Sequence, residues 1–240
     1  MATVDDNRKL WDGQYDWRDR GDEWSGIWGS AEAQWNFSLL PRLHRLVPAS
    51  TILEIAPGFG RWTQFLLDQC ERLIGVDLSK RCVDACIERF APRPNADFYV
   101  NNGSSLPMVK SDSVDFAFSF DSLVHVEWVE VAAYLVELAR VLSPDGTAFI
   151  HHSNVAALRD GHTEMAGRAA SVSGDMVLAQ CARLGLSVVS QERIDWEGYG
   201  LIDCITVFTR RPGVGPSKIV ENHSFMSEAN RIGAISDMYC

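Results

Sequence analysis

The stretch Ile52-Leu53-Glu54-Ile55-Ala56-Pro57-Gly58-Phe59-Gly60-Arg61-Trp62, ILEIAPGFGRW, decides the fold of this 240-residue chain. An apolar, β-branched run enters a glycine turn and leaves it as the periodic stretch WTQFLLDQC (62–70), which reads as strand, turn, helix. Glycines at such a turn let the backbone take dihedrals that side chains resist and pass close to a ligand. The helix that follows presents unpaired amides. Asp77 closes the next apolar run, RLIGVDL (72–78), where a carboxylate at a strand end accepts from two ribose hydroxyls. The pairing of Gly58 and Gly60 with Asp77 implies an adenosine-containing cofactor. The GxGxxG spacing is incomplete and no GKS or GKT follows, so NAD and ATP fit less well.

Outward from this unit the alternation repeats. A helix spans RCVDACIERF (81–90), strands fall at 97–101, 113–120 and 146–152, and a helix at VEVAAYLVELARVL (129–142) separates the last two. Strands alternating with helices, without hairpin turns, indicate a parallel sheet covered on both faces. After a loop at 153–170, a helix at 171–185 precedes two strands, 186–194 and 202–210, with no helix between them, which points to an antiparallel pair. The expected fold is α/β: a Rossmann-like, seven-stranded, mostly parallel sheet with helices on both faces and an antiparallel closing pair. Three parts follow: an N-terminal aromatic lid and helical segment (1–48), a core (49–211) and a C-terminal tail (212–240) packed on the surface.

Acidic residues outnumber basic ones 32 to 22, so a nucleic-acid partner, which needs a basic face, is not expected. No apolar run reaches the roughly 20 residues that span a bilayer, so membrane insertion is not expected either. The acidic, aromatic N-terminus has no apolar signal region, and a cytoplasmic location is expected. Six cysteines without a CxxC pair read as free thiols. Five of the eight tryptophans (Trp11, Trp17, Trp24, Trp28, Trp35) fall within the first 35 residues, a segment too aromatic to remain in water. It reads as a clasp on the main domain or as a lid lining a ligand pocket, with Trp28, Gly29 and Glu32 as its closing residues.

The glycine segment resembles motif I of the class I S-adenosylmethionine-dependent methyltransferases, E/D-x-G-x-G-x-G, with Glu54, Ala56, Gly58 and Gly60 at its positions and Ala56 replacing the first glycine. The resemblance covers about residues 50–152, including the ELARVLSPDG element, and extends less distinctly to Arg210. It implies S-adenosyl-L-methionine as cofactor, with Glu54 and the glycines at its methionine end and Asp77 at its ribose. The family's G-D-x-x-x-L-P step appears here as NNGSSLP, so the resemblance sets Asn102 in the aspartate's place, with Gly103 and Ser104 along the adenine. Trp62, Leu78 and Phe120, which flank these motifs, complete the cofactor set.

Ligands of open α/β sheets bind at the carboxyl ends of strands, so the acceptor chemistry is sought after the fourth and fifth strands. Asp121, His125, His151 and His152 lie there. Methyl transfer to a hydroxyl uses a general base. His125 matches the first histidine of the S-x-L-H-H run of many small-molecule methyltransferases, and strand alternation sends His151 and His152 to opposite faces. Asp121 with His152 is the candidate metal pair. Magnesium prefers oxygen ligands, so a divalent ion is not the expected arrangement.

The runs WDGQYDW, AFIHHSN and ERIDWEGYGLIDCITVFTR look like bacterial sugar or polysaccharide O-methyltransferases, including the methylmannose polysaccharide type. The expected reaction is O-methylation of a sugar, glycoside or oligosaccharide acceptor. N- or O-methylation of a non-sugar metabolite and a catalytically silent binding fold are the alternatives. A homodimer is left open.

Overall fold

The computed structural model describes residues 3–158, 167–196 and 198–239. Glu197 and much of the loop at 153–170 lie outside them.

At the N-terminus, α1 (Val4–Lys9) is fixed by a reciprocal capping box between Thr3 and Asp6 and runs on as a π turn, Leu10–Gln14. A 3-10 helix follows (Asp22–Trp28), then α2 (Ala31–Gln34), a π turn (Trp35–Leu39) and α3 (Leu40–Leu43). Ser30 caps the run that begins with α2, its hydroxyl accepting from the Ala33 amide at 3.0 Å. Pro41, which has no N–H to give, sits just past the π turn.

The core comprises β1 (Ala49–Ile55), α4 (Thr63–Leu66), β2 (Cys70–Asp77), α5 (Lys80–Arg89), β3 (Ala96–Val100), β4 (Val114–Leu123), α6 (Trp128–Val141), β5 (Leu142–Ser153), α7 (Gly174–Arg183), β6 (Ser187–Ile194) and β7 (Asp203–Thr209). The sheet order is β3-β2-β1-β4-β5-β7-β6-β8, and β7 runs antiparallel to both its neighbours. The eighth strand, β8 (Lys218–Asn222), pairs in parallel with β6 and leads into α8 (Phe225–Tyr239). The sequence pattern had suggested seven strands and a tail. Charged Lys218 and Glu221 flank Ile219 and Val220 in a short, largely exposed edge strand, a pattern easily read as polar loop.

Alternation along β1 assigns the two faces of the sheet. Ile52 joins a cluster with Phe116, Phe118, Phe149, Leu39 and Phe225. Leu53 and Ile55 join the opposite cluster with Leu135, Leu138 and Val177, residues of α6 and α7. The strand order reverses between β1 and β4, so the crevice beyond their carboxyl ends is where such a sheet binds ligands. No helix among the described residues is long and apolar enough to cross a membrane.

Candidate active site

The glycine turn leaves β1 with three positive φ angles in five residues: Ala56 at 58°, Gly58 at 59° and Gly60 at 86°. Ala56 thus occupies a left-handed position that favours glycine, which is why motif I places glycine there. A Cβ at Gly60 would come within 2.4 Å of the Phe90 ring, so this residue is glycine for space as well as for dihedral.

Asp77, at the end of β2, receives the Gly58 amide at 3.1 Å and the Ser79 amide at 2.8 Å. Burial raises its pKa to about 6 against the pull of those amides. Glu54 lies beneath the turn. Its Oε2 accepts from the Thr63 hydroxyl at 2.6 Å, while Oε1 is buried without a partner. Burial pushes this carboxyl up to about 8, with the Thr63 bond opposing the shift. An orphaned carboxyl oxygen below a glycine turn and a strand-end carboxylate beside it fit a ligand with a cationic end and a ribose. S-adenosylmethionine has both.

Asp77, Ala56 and Gly58 open into a cavity of about 1050 Å³, counted to its mouth, whereas Glu54 and Gly60, also expected at the cofactor, are not on its wall. Ala56, Gly58, Trp62, Asp77, Leu78, Gly103, Phe120, Asp121 and His125 all line it. Trp62 is 3% exposed and meets the Phe120 ring edge-on at 5.8 Å, so it builds the wall more than it presents itself to a ligand.

The sequence assignments of Asn102 and Ser104 do not reach the wall. Asn102 is exposed, and its carbonyl accepts from the amides of Ser104 at 3.1 Å and Ser105 at 2.9 Å, closing the turn itself. Its neighbour Asn101 is the buried amide. Asn101 accepts from the Gly103 amide at 3.0 Å and donates to the Tyr134 hydroxyl at 2.8 Å, which leaves Gly103 and Tyr134 at the cavity.

Several wall residues lie in the N-terminal segment. Val4, Asn7, Trp11, Trp17 and Trp24 line the cavity. Asn7 donates to the His125 carbonyl at 3.0 Å, and Asp12 accepts from the Ser79 hydroxyl at 2.6 Å and the Arg81 amide at 3.2 Å. The tryptophan density signalled a cover in the sequence, but not which rings. Trp17 and Trp24 line the cavity, whereas Glu32 is exposed and Trp28 is buried against Trp196 and Phe225.

Of the candidate catalytic residues, His125 alone among the histidines reaches the cavity. Its Nδ1 lies 2.8 Å from the Gly167 carbonyl, which can only accept, so Nδ1 carries the proton and Nε2 the lone pair. Burial, reinforced by the positive charge of Arg168, lowers its pKa and keeps it neutral near pH 7.

Asp121 sits at φ 60° and pairs with Arg61 at 2.8 Å. Burial works against its ionisation, but Arg61 and Arg168 outweigh it and hold the carboxyl below the ordinary range. Arg61 carries no sequence signal beyond its place after the glycines.

His151 and His152 do not join them. His151 is fully buried between the rings of Phe120 and Trp196, at 4.6 and 5.4 Å. Its Nδ1 accepts from the Asp121 amide at 3.1 Å, and its Nε2 faces Asp203 at 3.4 Å. It therefore holds the end of β4 rather than meeting an acceptor.

His152 points to the opposite face of the sheet, fully buried, bonded to the Ser153 carbonyl at 2.9 Å and the Thr206 hydroxyl at 2.8 Å. Asp121 and His152 thus cannot share an ion. Among the described residues no group of three or more His, Cys, Asp or Glu is placed to hold one. Asp203 and Arg168 are buried against each other at 3.0 Å.

Residues 52–146 match the family model described as a methyltransferase domain. Over this stretch, less than half of its length, the chain is similar to a methyltransferase domain. The glycine turn and Asp77 both lie within the matched residues.

Among curated proteins, the chain is 34% identical over 113 residues to the biotin biosynthesis bifunctional protein BioHC of Cellvibrio japonicus, covering 47% of this chain and 21% of that protein. It is also 38% identical over 50 residues to the ribosomal RNA small subunit methyltransferase A of Dehalococcoides mccartyi, covering 21% of this chain and 17% of that protein. The chain spans about a fifth of the length of these relatives.

Among solved structures, a geranyl diphosphate methyltransferase in complex with GPP and sinefungin superposes on 86% of this chain and 99% of its own, at TM-score 0.66 and 15% identity. The PH0226 protein of Pyrococcus horikoshii OT3 covers 74% of this chain and 90% of its own, at TM-score 0.58 and 21% identity. At these identities the likeness is one of fold.

Proposed function

We propose that this protein is a methyltransferase that moves the methyl group of S-adenosylmethionine to a hydroxyl of a sugar, glycoside or oligosaccharide. The observation that carries the reading is His125: a neutral imidazole with its Nδ1 proton committed to Gly167, on the same cavity wall as Gly58 and Asp77. The bound cofactor supplies an electrophilic methyl on a sulfonium. Asp77 would accept its ribose hydroxyls and Glu54 would face its methionine end. His125 Nε2 takes the acceptor's proton as its oxygen is methylated, and the rings of Trp11 and Trp17 keep water from the reacting pair.

Polyhydroxylated rings suit this wall because aromatic faces cover their C–H surfaces while imidazole and carboxylate address their hydroxyls. A second reading, a non-sugar metabolite, draws on the same rings and on the fold likeness to a geranyl diphosphate methyltransferase. An anionic diphosphate is disfavoured beside Asp121, Glu127 and Glu130, which among the described residues share the cavity wall with one basic side chain, Arg61, itself paired with Asp121.

The test is calorimetry with S-adenosylhomocysteine, then methyl transfer from labelled S-adenosylmethionine to a panel of glycosides, prenyl diphosphates and phenols. Micromolar product binding with transfer to a glycoside supports the proposal. Transfer to other acceptors alone selects the second reading, and binding without any transfer indicates a silent fold. Absence of binding at millimolar ligand removes the methyltransferase activity altogether.

A further inference from the structure

A second cavity, about 790 Å³ to its mouth, adjoins the first, and Trp24 and Asp121 line both. Its far walls come from the two ends of the chain: Trp28 and Ile27 from the N-terminal 3-10 helix, and Met226 from α8. The contacts between α8 and the 3-10 helix include Gly233, where a Cβ would come within 2.4 Å of the Ile27 carbonyl oxygen. The tail after β7 thus completes a wall that the methyltransferase core alone lacks.

Two features of this cavity point to a ligand. Trp28 is 1% exposed, yet its indole Nε1–H has no hydrogen-bond partner. Burying an amide-like donor without an acceptor is costly, and such donors in native proteins commonly meet a ligand or water oxygen. Trp196, another large ring on the wall, packs against Trp28 at 5.8 Å, and a buried stack through His151 to Phe120 ties this wall to that of the first cavity.

We infer that this second cavity is the acceptor subsite and that it takes a neutral polyhydroxylated ring, a hexopyranoside in chemical class. The ring would lie on Trp24 and Trp196, accept from the Trp28 indole N–H, and present its reacting hydroxyl toward Asp121 and His125. Neutrality follows from the wall: among its described residues Glu23 and Asp121 stand against Arg168, and the two nearby guanidinium groups, Arg168 and Arg61, are already paired with Asp203 and Asp121. A phosphorylated or carboxylated sugar would add charge that this wall does not balance. The inference rests on the methyl-transfer reading and extends it.

Two kinds of variant test it in the full chain. Gly26 lines the cavity, and a Cβ there meets nothing within 4 Å, so Gly26→Leu obstructs the space without a clash in the fold. Met226→Trp obstructs it from the tail side, and Trp28→Phe keeps the ring but removes the donor.

With methyl α-D-mannopyranoside and short oligomannosides as acceptors, the obstructing variants are expected to raise acceptor KM about tenfold or more, and Trp28→Phe about fivefold. Each should bind S-adenosylhomocysteine as the wild type does. An unchanged acceptor KM in all three variants overturns the subsite. A wild type that binds S-adenosylhomocysteine but methylates phosphorylated sugars or apolar alcohols rather than neutral glycosides overturns the ligand class. If the wild type fails to bind S-adenosylhomocysteine, it is the underlying methyl-transfer reading that falls.

Discussion

The Trp17 indole lies face to face with the Phe59 ring, centroids 4.6 Å apart and planes 9° from parallel. Phe59 is the residue between the two glycines of the turn, so the N-terminal cover is latched onto the cofactor loop itself. A Cβ at Gly58 would come within 2.8 Å of the same indole.

Trp17→Ala should therefore release the cover. Stacked aromatic pairs contribute about 0.5–1.5 kcal/mol beyond their buried area, so S-adenosylhomocysteine affinity should fall several-fold. Trypsin should cut faster at Arg18 and Arg20. Limited proteolysis with and without ligand checks this, and equal cleavage rates for wild type and variant would show that the segment is not held by Trp17.

Asp77 sets a pH dependence for the cofactor. Its folded pKa, about 6, lies above the ordinary 3.8, so the carboxylate proposed to accept ribose hydroxyls is present above pH 6 and lost as pH falls through it. S-adenosylhomocysteine affinity should weaken below that point. Asp77→Asn should reduce affinity about 10- to 100-fold at pH 8 and flatten the profile, as read by calorimetry across pH 5 to 8 in steps of about one unit.

His125→Gln should lower kcat by about 10² or more, the usual contribution of a positioned base, with S-adenosylhomocysteine affinity retained. In the wild type a base that must be neutral loses activity as it protonates. Burial lowers its pKa from 6.5, so the acid limb of the rate profile should have its midpoint below that value. A variant with wild-type kcat would remove His125 from the chemistry.

His152→Gln should leave kcat unchanged and alter stability instead. Its folded pKa is lowered to about 4 by burial, so the unfolded chain takes the proton first. The neutral ring's contribution is complete above about pH 6.5 and is lost as pH falls toward 4, by about 3 kcal/mol at most. Urea melts at pH 7 and pH 5 should show a steeper acid loss for the wild type than for the variant.

Much of the parallel core was legible in the sequence because its signals are local. The apolar runs of β1, β2, β4 and β5 are each bounded by turn residues, and the glycine turn is marked by residues whose dihedrals the structure bears out at Gly58 and Gly60. Ala56 fits the same pattern despite its Cβ, taking the left-handed angle that the motif demands.

The edge strand β8 was not legible, since a short exposed strand has no buried face to impose alternation. At the site, adjacency in sequence misled: His151 and His152 are neighbours, but period-two alternation and burial remove both from the cavity. Asn102 looked like an adenine contact until its carbonyl closed the turn on Ser104 and Ser105.

By itself the sequence determined the order of strands and helices in the core, the position of the glycine turn and the residue types beside it, because these follow from periodicity, glycine and charge within a few tens of residues. Only the tertiary structure decided which tryptophans close the cavity, that Arg61 answers Asp121, that His125 alone of three candidate histidines reaches the cavity, and that the C-terminal helix completes a second one. Those relations join residues 60 to more than 180 positions apart, and their energies depend on burial and distance that exist only once the sheet has brought them together.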